Sequence, residues 1–360
     1  MALPAPSHPV LTAAQRFRAE LLAGERDRAV RLVNAYGGVY RRLQDSIQAL
    51  VDAIDALPDP TPGQVHRLAA YRSLEAQILE QVSRYGGFAD LELDAGARQM
   101  IQTGLTHWEQ LTLLSVPSPL QATLRASFTR LHPDAVETMV GFLGNDSPLH
   151  QALTKQLGQA VADAVGERLV ASVGLGWNPR RAARVIRDEL GQGLNWSLNT
   201  SRTAQLWAYR EANRAAMVAN SQITPGWIWH SAMENGDGRT CMSCIAKHGS
   251  HHTADEVLND HHSGRCVAVP ETVSWQSLGL DLPDNRPQIP AGEDWFRGQT
   301  EAQQRQLMGD GMYQAWRDGK FSFQDLSRPY DDAVYGEMLR EASLKDLLGE
   351  NARQYYRAKQ

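Results

Sequence analysis

The sequence RTCMSC at residues 239–244, followed by DHHSGRC at residues 260–266, contains all three cysteines of the 360-residue chain. Three cysteines cannot all pair with one another, and small secreted proteins that depend on disulfides use many more. Residues 1–6 lack the basic start and the long apolar core of a signal peptide. We therefore expect a reducing compartment and a different use of these thiols.

The spacing of the cysteines and histidines predicts a metal site. Cys241 and Cys244 are two residues apart, which allows both sulfurs to lie on one side of a turn. The two remaining tetrahedral positions are best supplied by Cys266 and by either His261 or His262. Sulfur and imidazole ligands of this kind are typical of a structural zinc site. Because four protein ligands leave no position for water, we expect the ion to stabilise the segment without taking part in catalysis.

The thiols have two alternative interpretations besides a metal site. Buried thiols without a ligand behave as small apolar side chains, and a Cys-x-x-Cys pair in a thioredoxin-like βαβ unit is a redox centre. The flanks here are turns and histidines, which favours the metal site. His248, His251 and His252 are expected to be solvated loop residues, with His252 as a substitute ligand.

The N-terminal part predicts a long helical hairpin over residues 1–90. Apolar and aromatic residues recur in steps of three and four from Val33 to Leu57, and Pro58 must end that helix. Thr61 is placed to cap a returning helix with Pro62 at its first position. The pair Gly86-Gly87 is expected to end the returning helix.

The rest of the chain predicts three further segments. Residues 91–225 read as a helical body, residues 226–275 as a Cys/His module with short strands, and residues 276–360 as a loop followed by a helical tail. The predicted fold class is therefore mainly α: an elongated helical N-terminal body, a small α+β module stapled by zinc, and a helical C-terminal tail.

The charge distribution argues against general DNA binding. The net charge is −5, and residues 226–360 carry 14 Lys and Arg against 20 Asp and Glu. One arginine-rich helical face predicts a weak contact with DNA or an acidic partner, unless it is a solvated face balanced by Asp188 and Glu189. Its members are Arg180, Arg181, Arg184 and Arg187. No apolar stretch is long enough to span a bilayer, so we expect no membrane partner.

The order of these motifs resembles the phage head morphogenesis family, the minor head proteins similar to phage Mu protein F. The likeness extends over about residues 130–345, and the matching positions form two short motifs. The first is Asp237, Arg239, Thr240, Cys241 and Cys244, and the second is His261, Arg265 and Cys266. Many members have a Cys where this chain has Gly264, and a Pro where it has His262. The resemblance therefore favours His261 over His262 as the ligand.

The resemblance implies a minor capsid protein of a tailed phage or prophage, acting structurally near the portal in procapsid assembly, DNA packaging or delivery. Its implied partners are the portal protein and the major capsid or scaffold proteins. Its implied location is the virion, in the head interior or at the portal vertex, and the host cytoplasm during assembly. A role other than that of an enzyme is expected.

The main enzymatic alternative is a zinc-braced nuclease of the His-metal finger type, suggested by the sequence Asp260-His261-His262 after a cysteine pair. That chemistry needs a histidine to activate water and a further ligand downstream. No histidine follows His262, and the nearest downstream asparagine is Asn285. A sequence-reading zinc finger is also weighed, but residues 267–270 look like a strand and not like a recognition helix.

Overall fold

The computed structural model describes residues 8–141, 143–144, 147–157, 161, 163–165, 167–168, 171, 179–233, 240–282, 284 and 286–356. Between residues 179 and 189, side chains are described only at Arg184 and Asp188. The N-terminal part is helical. Its helices are α1 (Pro9–Asp55), α2 (Pro62–Arg67), α3 (Ala69–Leu114), α4 (Ser118–Ser127), α5 (Pro133–Val140), α6 (Pro148–Gln156) and α7 (Pro179–Ala219). Among the described helices, none combines the length and the apolar character needed to cross a membrane.

The turn between α1 and α2 forms as its sequence predicts. Thr61 Oγ1 accepts a hydrogen bond from Gln64 N (3.4 Å), while Gln64 Oε1 accepts one from Thr61 N (2.8 Å). This reciprocal pair is a capping box, and Pro62 occupies the first turn of α2. The predicted start of the returning segment is confirmed, although α2 is short and α3 begins separately at Ala69.

The predicted end at Gly86-Gly87 is wrong, because α3 continues through both glycines to Leu114. Each glycine costs a helix about 1 kcal/mol relative to alanine. A buried stripe that includes Tyr85 and Ala89 continues across this point and outweighs that cost. A Cβ atom at Gly86 would lie 3.4 Å from Leu157 Cβ, so the small residue also allows a close approach.

The chain divides into two compact units. One unit comprises Met1–Leu22, Arg98–Val140 and Leu206–Gln360, and the other comprises Ala23–Ala97 and Gly141–Gln205. Because α1, α3 and α7 are continuous helices, each contributes residues to both units. The four consecutive segments expected from the sequence therefore do not coincide with the compact units, and the boundary expected at residue 90 lies within α3.

A three-stranded antiparallel sheet begins at Gly226, the first residue of the predicted module. Its strand order is β2 (His251–Thr253), β1 (Gly226–His230), β3 (Val267–Glu271), and α8 (Met242–Lys247) lies between β1 and β2 in the chain. The central strand β1 is buried on both faces. Trp227 and Trp229 belong to a core that also contains Trp108, Cys244 and Cys266.

The predicted helical tail is present and also contains a hairpin. Its helices are α9 (Gly292–Arg297), α10 (Glu301–Met308), α11 (Asp310–Arg317), α12 (Leu344–Leu348) and α13 (Arg353–Tyr356). The hairpin consists of β4 (Ser327–Asp332) and β5 (Gly336–Glu341). Its turn is held by Asp332 Oδ1, which accepts from Val334 N and Tyr335 N, and Gly336 follows with a φ of 74°.

The close crossing of α3 and α7 at Gly104 gives a stability prediction. A Cβ atom at Gly104 would lie 2.7 Å from Tyr209 O and 2.8 Å from Ala212 Cβ, neither of which can move freely. Gly104→Ala should lower the free energy of unfolding by about 1–3 kcal/mol through overpacking. Gly87→Ala in the same helix is the matched control, because nothing lies within 4 Å of its new Cβ. Removing that glycine should stabilise by about 0.5–1 kcal/mol, and equal urea midpoints for the two variants would contradict this account.

Candidate metal centre

Cys241 and Cys244 are placed by the first turn of α8. Cys241 is the N-cap of this helix, with extended backbone dihedrals, and its Sγ accepts a hydrogen bond from Cys244 N (3.4 Å). Thr240 Oγ1 donates to Ala232 O (2.7 Å), which fixes the entry to the helix. Because the two cysteines are one turn apart at a helix start, both sulfurs face the same side.

His261 completes a group of three donor atoms with these sulfurs. Its Nε2 lies 3.3 Å from Cys241 Sγ and 3.2 Å from Cys244 Sγ. Ligands about 2.0–2.3 Å from a tetrahedral ion are separated from each other by about 3.5 Å. His261 Nδ1 lies 2.8 Å from His262 O and can donate to it, the outer hydrogen bond that orients many metal-binding histidines. These three residues could hold a metal ion.

Cys266 lies in a second, overlapping group. The donor atoms of Cys244, Asp260 and Cys266 are all within 4.8 Å of one another, and all three residues are buried. The four predicted ligands therefore lie close together, with Cys244 common to both groups. Sulfur and imidazole donors in this number fit a four-coordinate ion, with Cys266 as the predicted fourth ligand.

His262, the predicted rival of His261, is directed elsewhere. Its Nε2 lies 2.9 Å from Asp332 Oδ2, at the end of β4, and its ring meets the ring of Tyr335 edge-on. The structure thus places the ring of His261 with the thiols and the ring of His262 against the β4–β5 hairpin.

Contacts within the donor group shift the pKa of each of its members. The hydrogen bond with Cys244, together with contacts from His261, lowers the pKa of Cys241 to about 5. The hydrogen bonds with Cys241 and Cys266, and then burial, raise the pKa of Cys244 well above its usual value. Burial opposes the charged form of His261, but Cys241 and Asp260 outweigh it and raise the pKa of His261 to about 10. At neutral pH this describes a Cys241 thiolate beside a His261 imidazolium.

Sequence reasoning missed the buried polar residues around the group. Asp260 is 1% exposed and lies against the thiols, although it stands directly before the histidine pair in the sequence. His248 was expected to be solvated, but it is 2% exposed, and its Nδ1 accepts from Ser231 N (3.1 Å). His251 is exposed as expected, and His252 Nδ1 lies 2.7 Å from Glu256 Oε2.

Several predicted residues lie outside the described part of the chain. Asp237 and Arg239 of the first motif belong to residues 234–239, which are not described. In the arginine face, Arg184 is exposed, and the side chains of Arg180, Arg181 and Arg187 lie outside the described residues. The predicted contact of this face with DNA stays a prediction.

A scan against known protein families gave no match, and searches of curated proteins and of solved structures gave none either. The resemblance to the head morphogenesis family thus stands on the quoted motifs alone.

Variants of the ligand residues test the assignment. Cys241→Ser, His261→Ala and Cys266→Ser should each lower the bound divalent metal from about one ion per chain to a small fraction, because three ligands hold an ion far less firmly than four. His262→Ala should retain the full amount, since its ring faces Asp332. Metal content is measured by mass spectrometry after dialysis. Retention by Cys241→Ser or loss by His262→Ala would contradict the assignment.

The polarisation of the group predicts a steep pH dependence of metal binding. His261 must lose a proton to coordinate through Nε2, and Cys244 must lose one to coordinate through Sγ. Because the pKa of each group is raised above neutrality, both protons leave on binding between pH 6 and 8. Affinity should therefore rise with pH, by at least about 100-fold per unit, because these two protons alone contribute a factor of about 100. Competition with a chromophoric chelator across this range measures it, and a flat profile would refute the protonation states.

Proposed function

We propose that the Cys/His group binds one structural zinc ion through Cys241, Cys244, His261 and Cys266. The observation that carries this proposal is the convergence of three donor atoms from two separate segments on one partly buried volume. Sulfur-rich sets with one imidazole favour zinc among the common cellular metals. When bound, the ion cross-links α8 to the loop that precedes β3. That loop has little secondary structure of its own, so the cross-link supplies stability that packing alone does not.

We further propose that the chain is a minor head protein of a tailed phage or prophage, incorporated near the portal. Two features support this proposal. The motif that begins at Asp237 and the one that ends at Cys266 resemble those of the head morphogenesis family in their order, apart from the departures at His262 and Gly264. Long helices and a stapled module with a defined surface also suit contacts with portal and capsid or scaffold proteins.

The nuclease alternative has less support from the geometry. A nuclease of the His-metal finger type needs a histidine that is free to activate water beside a catalytic ion. His261 Nε2 faces two sulfurs, and His262 Nε2 faces the carboxylate of Asp332. Both candidate histidines are thus directed at other side chains. A role other than that of an enzyme is accordingly part of the proposal.

Particle association tests the proposed function. In an infected or induced culture, the tagged protein should sediment with procapsids and heads on a sucrose gradient, and it should co-purify with portal protein. Cys241→Ser should reduce incorporation at least severalfold, because the unstapled module loses its docking surface. His262→Ala is the matched control, since it removes a neighbouring imidazole outside the donor group.

Two outcomes would contradict the head-protein proposal. One is a wild-type protein that sediments only as free chains while particles assemble normally. The other is magnesium-dependent DNA cleavage by the purified protein that is lost in His262→Ala, which would favour the nuclease.

A further inference from the structure

A buried ion pair lies directly behind the donor group. Arg210, on α7, donates from its NH2 to Asp260 Oδ2 at 3.0 Å. The side chains of Arg210 and Asp260 are 4% and 1% exposed, so both charges are withdrawn from water. Burying two charges is costly unless their remaining donors and acceptors are also satisfied. The stability of this pair therefore depends on the hydrogen bonds that its neighbours make with it.

Asp260 is bonded to three residues that carry metal ligands. Its Oδ1 accepts from His261 N (2.9 Å) and from the Cys244 thiol (3.4 Å). Its Oδ2 accepts from Cys266 N (3.1 Å) as well as from Arg210. One carboxylate thus connects the helix that carries Cys244 with both ends of the loop that carries His261 and Cys266.

Arg210 holds the other side of the same loop. Its NH2 donates to Gly264 O (2.8 Å) and to Cys266 O (3.0 Å), and its Nε donates to Cys266 O (3.2 Å). Loop carbonyls that would otherwise be buried without partners are satisfied by one rigid guanidinium on a helix. The loop conformation is correspondingly constrained, with Ser263 in the left-handed region at a φ of 59°.

We propose that Arg210 and Asp260 are positioning residues of the metal centre: they hold Cys244, His261 and Cys266 in the geometry that binds the ion, and Asp260 is not itself a ligand. This inference rests on the proposed metal centre. Both carboxylate oxygens already accept hydrogen bonds from backbone N–H groups or the guanidinium. Outer residues of this kind typically alter metal affinity 10- to 100-fold without changing the ligand set.

The test uses the full-length protein with Co²⁺ as the probe, because the absorption bands of bound Co²⁺ report both occupancy and ligand identity. Asp260→Asn and Arg210→Met should weaken Co²⁺ binding about 10- to 100-fold. At saturation, both variants should show the wild-type thiolate charge-transfer and d–d bands. Arg210→Lys, which keeps the charge but loses the forked donors, should fall between the wild type and Arg210→Met.

Two further variants separate positioning from general loss of stability. Arg202→Met removes the ion pair between Arg202, on the same helix α7, and Glu25. It should leave the Co²⁺ affinity unchanged. The double variant Arg210→Met/Asp260→Asn should bind Co²⁺ more tightly than Arg210→Met alone, because it does not leave an unpaired buried carboxylate.

The outcomes are distinguishable. Altered Co²⁺ bands at saturation in Asp260→Asn would make Asp260 a ligand and overturn the inference. Unchanged affinity in both Arg210→Met and Asp260→Asn, with wild-type binding intact, would also overturn it while leaving the metal centre standing. A wild-type protein that gives no cobalt–thiolate bands would overturn the metal centre itself. Arg210→Met removes four buried hydrogen bonds, whereas Asp260→Asn keeps the shape of the side chain, so Asp260→Asn is measured first and its folding is checked by circular dichroism.

Discussion

Three donor atoms, those of Cys241, Cys244 and His261, occupy one small, partly buried volume, and the Cys/His module depends on how their charges are balanced. His261 Nε2 lies 3.3 and 3.2 Å from the two sulfurs. Such close donors are compatible only when protons or a cation lie between them. Protons can provide this balance, since the pKa of Cys241 is lowered and that of His261 is raised. A divalent ion would satisfy all three donors at once, which is why this arrangement favours a metal.

The neighbourhood of this point is fixed by polar contacts as much as by apolar packing. Ser231, just after β1, donates from its Oγ to Cys244 O (2.6 Å) and from its N to His248 Nδ1. Arg18, on α1, donates to His230 O (2.9 Å) and lies 2.7 Å from His230 Nδ1, which must be the acceptor because a guanidinium only donates. Burial, and then Arg18, hold the pKa of His230 well below its usual range. The end of β1 is thereby linked to α1 through Arg18, and to α8 through Cys244 and its C-cap residue His248.

The ligand residues of the candidate metal centre could be predicted from the sequence because the spacing of cysteines and histidines in zinc sites follows known patterns. A Cys-x-x-Cys pair followed by a histidine and a further cysteine is a spacing typical of a zinc site. The module with short strands was likewise predicted to begin at residue 226, where β1 begins. The choice between His261 and His262 could not be made from spacing, because adjacent residues differ only in where the backbone turns their side chains. In the structure, His261 Nε2 lies beside the two sulfurs, whereas His262 Nε2 lies 2.9 Å from Asp332 Oδ2.

The remaining misses have a shared cause. Gly86-Gly87 is a local signal to end a helix, but α3 continues through it because side chains on either side are buried. That burial depends on tertiary packing, which the local sequence does not show. The β4–β5 hairpin has a weak strand pattern in the sequence. One of its edge hydrogen bonds runs from Leu339 N to Asn259 O (2.8 Å), and Asn259 lies 80 residues earlier in the chain. Arg210 and Asp260 are 50 residues apart, so no window of sequence joins them. Long-range pairs of this kind carry no periodic signal.

Gly264 shows how one such pair constrains the motif. A Cβ atom at this position would lie 2.2 Å from the carboxyl group of Asp260, a separation that real atoms do not adopt. The head morphogenesis motif that the chain resembles often has a cysteine here. In this chain, any side chain at position 264 would expel the carboxylate that Arg210 holds against the loop. Glycine at 264 is therefore required by the buried carboxylate of Asp260, which connects Arg210 on α7 to the loop between His261 and Cys266.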